Sequence, residues 1–353
     1  MEGNKVCVAM SGGVDSSVAA YLMLQEGFQC IGTTAKMCDR KLLADAYNEQ
    51  YIEDAKAVAA NLGMDFVAID AVEPFKKAVV DNFIASYEAG LTPNPCFVCN
   101  KHIKFSFLLD KALEMGCDSI ATGHYAQVRQ DEKTGRYLLF RAVDPSKDQS
   151  YFLAGLTQEQ LSKVHFPLGA FTKAQIRQIA EAQGFLTAKK RDSQDICFIP
   201  DGDYLAFINR YTGKTYPSGA FLDQAGNVLG QHSGAIAYTL GQRKGLGLAM
   251  GTPVYVCGKN MAENTVTVGP EEALFSDTLI ACDWNWLPFP DLTEPVRVMA
   301  KARYRHIPQP ATVYPMEDGR ARVVFDAPQR ALTPGQTVVL YDGDMVVGSG
   351  TIE

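Results

Sequence analysis

Short apolar runs alternate with longer helix-spaced stretches through the first part of the chain, which predicts strands and helices in turn. The run at 5–10 leads into a glycine turn. Residues 16–27 follow, with Val18, Ala19, Leu22 and Met23 on one side and Gly27 where a left-handed cap belongs. Further strands are predicted at 30–36, 66–70 and 119–123. Helices are predicted at 49–62, from Pro74 onward with Phe75, Val79, Phe83 and Tyr87 at helical spacing, and at 103–115. This order makes a parallel sheet covered on both faces, whose ligands sit beyond the carboxyl ends of the strands. That rim receives Ser11 from the first strand, Ala35 and Lys36 from the second, and Gly123 and His124 from the fourth.

Between two of these helices, Thr92-Pro93-Asn94-Pro95-Cys96-Phe97-Val98-Cys99-Asn100-Lys101 holds two prolines and two asparagines, predicting an extended path that presents its side chains. Residues 136–143 read as a hairpin arm, and 172–183 as a helix capped by Thr172. From about Gly202 helical spacing fades and short alternating runs take over. Within 296–305, Val296, Val298, Ala300, Ala302 and Tyr304 share one face, and Arg297, Met299, Lys301, Arg303 and Arg305 share the other. The Asp342-Gly343 turn between two apolar runs completes an all-β tail. The expected architecture is an α/β domain at 1–201, a small β-rich central domain at 202–274 and a C-terminal β-barrel at 275–353.

Composition changes this picture little. The chain has 353 residues, 47% hydrophobic and 21% charged, ordinary for a globular protein of more than one domain. A net charge of −7 excludes a globally basic nucleic-acid binder but leaves room for local basic patches. No stretch reads as a leader or a membrane span, so no membrane partner is expected. Nine cysteines, an odd number, predict reduced thiols in a cytoplasm.

The chemistry concentrates in two places. Ala9-Met10-Ser11-Gly12-Gly13-Val14-Asp15-Ser16-Ser17 is a strand, a tight glycine turn and a helix N-terminus, which together aim backbone N–H groups and a helix dipole at one point. Such a point suits a phosphate, and Asp15 is placed to face a metal or a nucleotide hydroxyl. It lacks the Gly-Lys-Ser/Thr ending of a Walker loop and the spacing of a dinucleotide fingerprint. Ser-Gly-Gly-Val-Asp-Ser-Ser instead resembles the pyrophosphatase loop of enzymes that split ATP between its α and β phosphates. The second place is Cys96-Phe97-Val98-Cys99. A zinc half-site would need a second close pair, which is missing; a thioredoxin-type motif should open a helix after a strand, and the prolines fit that poorly. For catalytic thiols the setting helps, since Lys101, His102 and Lys104 are expected to lower a thiol pKa.

Further motifs stand in the same order as in the tRNA 2-thiouridylases: Ala121-Thr122-Gly123-His124-Tyr125, Ser193-Gln194-Asp195-Ile196-Cys197-Phe198, Tyr238-Thr239-Leu240-Gly241-Gln242-Arg243-Lys244 and Ala302-Arg303-Tyr304-Arg305. With the glycine loop and the Thr-Pro-Asn-Pro stretch, the chain resembles that family from first strand to barrel. The resemblance implies a Rossmann-like domain of the adenine nucleotide α-hydrolase type. It implies ATP with Mg2+ on Ala9, Met10, Ser11, Gly12, Gly13, Val14, Asp15 and Ser16, with Ala35 and Gly123 against the adenosine. It places the wobble uridine of tRNA (position 34) beside Asn94, Pro95 and Cys96, and makes Cys99 the nucleophile and Cys197 the persulfide carrier. Uridine O2 would be adenylated, sulfur would replace it, and a Cys99–Cys197 disulfide would remain for reduction.

By the same resemblance His124, Lys147, Asp148, Gln149, Arg303, Tyr304 and Gln336 are expected at tRNA; from the charge pattern alone, Arg297, Lys301, Arg303 and Arg305, with Lys147, Lys189, Lys190 and Arg191, are local sites for phosphate. Expected partners are glutamate, glutamine and lysine tRNAs and a persulfide donor, either a cysteine desulfurase or a relay protein, around a monomer. The chain departs from the family at Cys96, where better-known members carry aspartate. That opens a second route, with Cys96, Cys99 and Cys197 as ligands of a [4Fe–4S] cluster. An ATP-dependent amide ligase, or an RNA-binding module with an inactive nucleotide loop, are the other readings.

Overall fold

The computed structural model describes residues 4–185 and 196–353. Its first part holds strands β1 (Lys5–Ala9), β2 (Gln29–Lys36), β3 (Asp65–Asp70), β4 (Ser119–Thr122), β5 (Ala126–Gln130), β6 (Tyr137–Arg141) and β7 (Val164–His165). Five of these form a parallel sheet in the order β3-β2-β1-β4-β7. Val6, Cys7 and Val8 are fully buried, which is why β1 reads as a continuous apolar run rather than an alternating one. Register matters most at the far end. Ala9 lies beside Thr33 on one side and Thr122 on the other, so the segments after β1, β2 and β4 emerge at one rim.

The helix Val14–Gln25 packs Val18, Ala19, Ala20 and Met23 onto the sheet. The helix Lys173–Ala182 starts in a capping box, with Thr172 and Gln175 satisfying each other's backbone N–H groups. Among the described residues, no helix is long and apolar enough to cross a membrane.

The central sheet is small: β8 (Gly219–Leu222), β9 (Val228–His232), β10 (Tyr255–Asn260) and β11 (Thr265–Gly269), ordered β10-β11-β8-β9. Ahead of it stands a helix, Tyr204–Thr212, where the sequence reading expected helices to fade. Asp203 caps its start and Gly213, at φ +71°, ends it. Its Phe207 and Ile208 pack with Phe75, Phe83 and Phe198, so it is held by the first domain's core rather than by the β-rich unit it precedes.

The last part holds β12 (Phe275–Trp286), β13 (Val296–Lys301), β14 (Gln309–Pro315), β15 (Ala321–Arg330), β16 (Thr337–Asp342) and β17 (Met345–Ile352). They run in the order β12-β15-β14-β13-β16-β17, and β12 pairs with β17 to close a six-stranded barrel. Val298, Ala300, Ala311, Val313, Val323, Val338 and Leu340 fill its interior. The β5–β6 hairpin of the first domain continues this sheet, with Phe140 opposite Met345. The strict alternation of 296–305 extends past the strand itself: β13 stops at Lys301, and Tyr304, expected on the core face, turns outward.

Candidate active site

The glycine loop leaves the sheet still tethered to it. The Met10 N–H donates to the Thr33 carbonyl (2.7 Å), and Thr34 Oγ1 donates to the Met10 carbonyl (2.8 Å). Gly12 has φ +66°, and a Cβ there would lie 2.5 Å from the Tyr51 carbonyl oxygen, so only glycine fits. Gly13 occupies the N-cap of Val14–Gln25 and brings no side chain to cover the first-turn amides, leaving the helix end available to an anion. Ser16 Oγ accepts from the Ser11 N–H and donates to the Gly13 carbonyl, each at 3.1 Å, while Ser17 Oγ donates to the same carbonyl at 2.9 Å. The serines brace the turn. Gly123 backs directly onto it: a Cβ there would stand 2.8 Å from Asp15 C and Ser16 N.

Asp15 does not stand open to a metal or a hydroxyl, as the sequence reading had it. Its carboxylate accepts from Tyr125 Oη (2.7 Å) and, through both oxygens, from Lys173 Nζ (2.8 Å each). The Lys173 side chain is only 10% exposed, against 30% for Asp15. Sequence reasoning missed Lys173. It lies 158 positions from Asp15, and the one local signal was the helix start at Thr172.

The Thr-Pro-Asn-Pro stretch is extended only as far as Asn94. Asn94 Oδ1 accepts from the Phe97 N–H (3.2 Å) and Pro95 takes the first helical position, which its fixed φ favours, so a helix runs over Pro95–Cys99. It continues through the wider turns of Asn100–Phe107 into Leu108–Glu114. The Cys-x-x-Cys therefore does open a helix, and a spacing of three puts Cys96 and Cys99 on one face. Cys96 is exposed and Cys99 is 7% exposed. The Cys99 thiol meets Met37 Sδ at 3.9 Å. Cys197 is exposed and stands near enough to Cys96 and Cys99 to raise the pKa of each through its charge. These thiols line the rim reached by β2 and β4.

Their acidity departs from expectation. Burial pushes Cys99 up to about 12 and raises Cys96 as well. The contact with Cys38, then burial, raises Cys197 well above the ordinary thiol range. Of the three nearby bases only Lys104 opposes this, lowering all three thiols by its charge. His102 is itself kept neutral by burial and by Lys101. Lys104 Nζ lies 3.4 Å from His124 Nε2, and Thr122 Oγ1 lies 2.6 Å from His124 Nδ1. Burial, then Lys104, holds His124 far below its ordinary value and hence uncharged.

Family models match along the whole chain. The tRNA methyl transferase HUP domain covers 4–201, the tRNA methyl transferase PRC-barrel domain 205–270, and the aminomethyltransferase beta-barrel domain 276–352. The tRNA-specific 2-thiouridylase MnmA of Clostridioides difficile is 47% identical over 353 residues, spanning 99% of this chain and 98% of that one. The chain belongs to the tRNA-specific 2-thiouridylase family. The relatives of the same name from Heliobacterium modesticaldum (49% identical, 98% and 92% covered) and Acetivibrio thermocellus (47%, 100% and 100%) agree.

The residues expected at tRNA, and the cationic face that includes Arg297, are unevenly available. Arg297 is paired with Asp326. Arg303 donates to the Ala331 carbonyl (2.9 Å), the Leu240 carbonyl (3.3 Å) and Thr333 Oγ1, which ties the barrel to the central unit. Gln336 donates to the carbonyls of Thr92 (2.8 Å) and Pro93 (3.2 Å) and so clamps the loop ahead of Cys96 onto the barrel. His124 is buried at the rim. Asp148 accepts from the N–H groups of Ala142 and Ser150, and Gln149 Oε1 accepts from the Tyr125 N–H (3.0 Å). Tyr304 is 36% exposed and lies on Phe152, ring centres 4.3 Å apart. It borders a polar cleft with Ser146, Asp148, Lys301, Arg305 and His306. Lys189, Lys190, Arg191 and Ser193 to Asp195 lie outside the described residues.

The cluster alternative does not fit this arrangement. Among the described residues, no group of three or more His, Cys, Asp or Glu is disposed to hold a metal ion, Cys96, Cys99 and Cys197 included.

Proposed function

We propose that this thiouridylase replaces O2 of the tRNA wobble uridine with sulfur, consuming ATP, taken as its magnesium complex, and releasing AMP and pyrophosphate. The observation that carries the reading is the shared rim. The glycine loop, Gly123 packed against it, and the thiols of Cys96, Cys99 and Cys197 are joined through His124 and Lys104.

ATP lies along Ala9 to Ser16 with Ala35 and Gly123 beside the adenosine, and the uncapped helix end takes its phosphates. The uridine, splayed from the anticodon loop, rests by Asn94, Pro95 and Cys96, and its O2 attacks the α phosphorus. Lys104 and the loop amides stabilise charge as pyrophosphate leaves. Cys197 carries a persulfide delivered by a cysteine desulfurase or a relay protein. The outer sulfur of that persulfide attacks C2 as AMP departs. Cys99 then attacks Sγ of Cys197, breaking the S–S bond so that 2-thiouridine leaves and a Cys99–Cys197 disulfide remains for an external dithiol to reduce. Tyr304 offers a stacking face, and Lys147 and Arg305 offer charge for the tRNA backbone. Glutamate, glutamine and lysine tRNAs are the expected acceptors, met by a cytoplasmic monomer.

The test is reconstitution with unmodified glutamate tRNA, ATP, Mg2+ and a persulfide donor, followed by nucleoside mass spectrometry. The reading requires 2-thiouridine and AMP in equal amounts, both lost in Cys197→Ser. ATP consumption that tRNA does not stimulate overturns it.

A further inference from the structure

Asp15 of the glycine loop is held by two groups, and both lead to the same segment. Tyr125 Oη donates to its carboxylate at 2.7 Å, and Lys173 Nζ donates to both of its oxygens at 2.8 Å. The backbone of Tyr125 is in turn locked to Gln149. Its N–H donates to Gln149 Oε1 (3.0 Å), and its carbonyl accepts from the Gln149 N–H (2.9 Å). The Lys173 N–H donates to Asp144 Oδ2 (2.9 Å), while Asp144 Oδ1 accepts from the N–H and Oγ of Ser146 (2.9 and 2.6 Å). Tyr125 and Lys173 are both buried, so neither leaves Asp15 without unpacking its surroundings. The segment 144–149 thus reaches Asp15 from each of its two ends. Its other side forms a wall of the polar cleft, where Ser146 and Asp148 stand with Lys301, Tyr304, Arg305 and His306 of the barrel. Tyr304 Oη donates to the Asp148 carbonyl at 3.4 Å, joining the two walls.

We propose that Tyr125 and Asp144 are positioning residues that carry tRNA binding in this cleft to the nucleotide loop, so that tRNA and ATP strengthen each other's binding. An RNA phosphate seated among Lys301, Arg305 and His306 holds the barrel and the 144–149 segment in one arrangement. With that segment fixed, Tyr125 and Lys173 keep Asp15 in place, and ATP meets a loop that needs no further ordering. ATP is then gripped firmly only when an acceptor is present, which limits its wasteful cleavage. A coupling free energy between two sites acts equally in both directions. The inference rests on the reading of the glycine loop as an ATP site and of the cleft as a tRNA site.

The test is calorimetry on the full chain with Mg2+, unmodified glutamate tRNA and α,β-methylene-ATP, which cannot release pyrophosphate. Each ligand is titrated alone and with the other saturating. In wild type each should tighten the other by the same factor, about tenfold. Tyr125→Phe keeps the buried ring and loses only the hydroxyl, and it should cut that factor to about twofold, the worth of one net hydrogen bond. Asp144→Ala should cut it likewise. Gly116→Ala, whose new Cβ would meet nothing, should keep the whole factor, because lost stability alone does not change a ratio of affinities. A wild type that binds both ligands with no mutual effect overturns the proposal, as does an undiminished factor in Tyr125→Phe or in folded Asp144→Ala. Should Asp144→Ala fail to fold, Tyr125→Phe decides alone. If wild type binds either ligand not at all, the assignment of the loop and the cleft falls, and the coupling with it.

Discussion

The Lys173–Asp15 pair and the Arg297–Asp326 pair are both ion pairs between distant parts of the chain, yet they stand in opposite surroundings. Lys173 is nearly enclosed beneath the glycine loop and reaches both oxygens of a carboxylate that Tyr125 also holds. Arg297 and Asp326 lie half-open to solvent on the barrel wall, with side chains 54% and 48% exposed. Water and salt screen the second pair, while the first, with Lys173 10% and Asp15 30% exposed, is screened far less. The rim is built of groups that fix one another, so disturbing one moves the loop. The barrel wall is built of groups that water can replace. Chemistry needing sub-ångström placement belongs at the first kind of site, and a surface gripping a long flexible polyanion can use the second.

The sharpest way to break this contrast is Gly123→Ala. The new Cβ would sit 2.8 Å from backbone atoms of Asp15 and Ser16, and neither can yield as a flexible side chain would. We expect about 1–3 kcal/mol of destabilisation from overpacking. Displacing the loop by a fraction of an ångström should lower tRNA-dependent pyrophosphate release about a hundredfold. Gly116→Ala is the control. It has φ +75° and nothing near its Cβ, so it should cost about 1 kcal/mol in a thermal melt and leave pyrophosphate release unchanged. Equal activity in the two variants would show that the close approach at Gly123 is incidental.

Next in size is Lys173→Met. Removing the ammonium leaves the Asp15 carboxylate with Tyr125 alone, for an expected cost of about 2 kcal/mol once the partial exposure of Asp15 is allowed for. ATP-dependent adenylation should fall with it, chiefly in kcat. Arg297→Ala should leave both melting temperature and turnover where they were. If the two variants behave alike, enclosure is not what separates these pairs.

What was legible in the sequence divides along the same line. Features that backbone geometry dictates could be read locally: the glycine turn, the Thr172 cap, the parallel strands and the Asp342-Gly343 hairpin each carry their own reason within a few residues. Asn94 and Pro95 carry as clear a helix start, but Pro93 and Pro95 equally suit an extended path. Partners supplied from far away were invisible. Nothing near Asp15 announces Lys173, nothing near Arg297 announces Asp326, and nothing in Cys-x-x-Cys reveals that burial outweighs the charge of Lys104. The helix Tyr204–Thr212 belongs with these, because Phe207 and Ile208 find most of their core in Phe75, Phe83 and other residues more than a hundred positions earlier, alongside the nearby Phe198.

On the barrel side the larger effect should come from an aromatic ring and not from a charge. Tyr304 lies on Phe152 and is 36% exposed, so it has a face to offer a base. Tyr304→Ala should weaken tRNA binding about tenfold in a filter or fluorescence assay, in keeping with the worth of one stacked base, while Tyr304→Phe keeps most of the affinity. Equal weakening by Tyr304→Phe would mean that the hydroxyl, which reaches the Asp148 carbonyl at 3.4 Å, matters more than the ring.

The smallest effect concerns pH. Burial raises the Cys99 thiol from its ordinary value of 9.0 to about 12, so between those two values the unfolded chain has released this proton while the folded chain still holds it. Protons bound in the unfolded state are then fewer than in the native state, and the linkage relation makes stability fall as pH rises through that window. The stabilisation from keeping Cys99 neutral is fully present below pH 9 and drains away toward pH 12. Cys99→Ser has no such group to lose. Its deficit in melting temperature relative to wild type, set at pH 8 by lost packing, should therefore narrow steadily as the melts are repeated up to pH 11. A constant gap would mean that Cys99 ionises as freely in the folded protein as in the unfolded chain, and that the enclosure of the rim does not extend to its thiols.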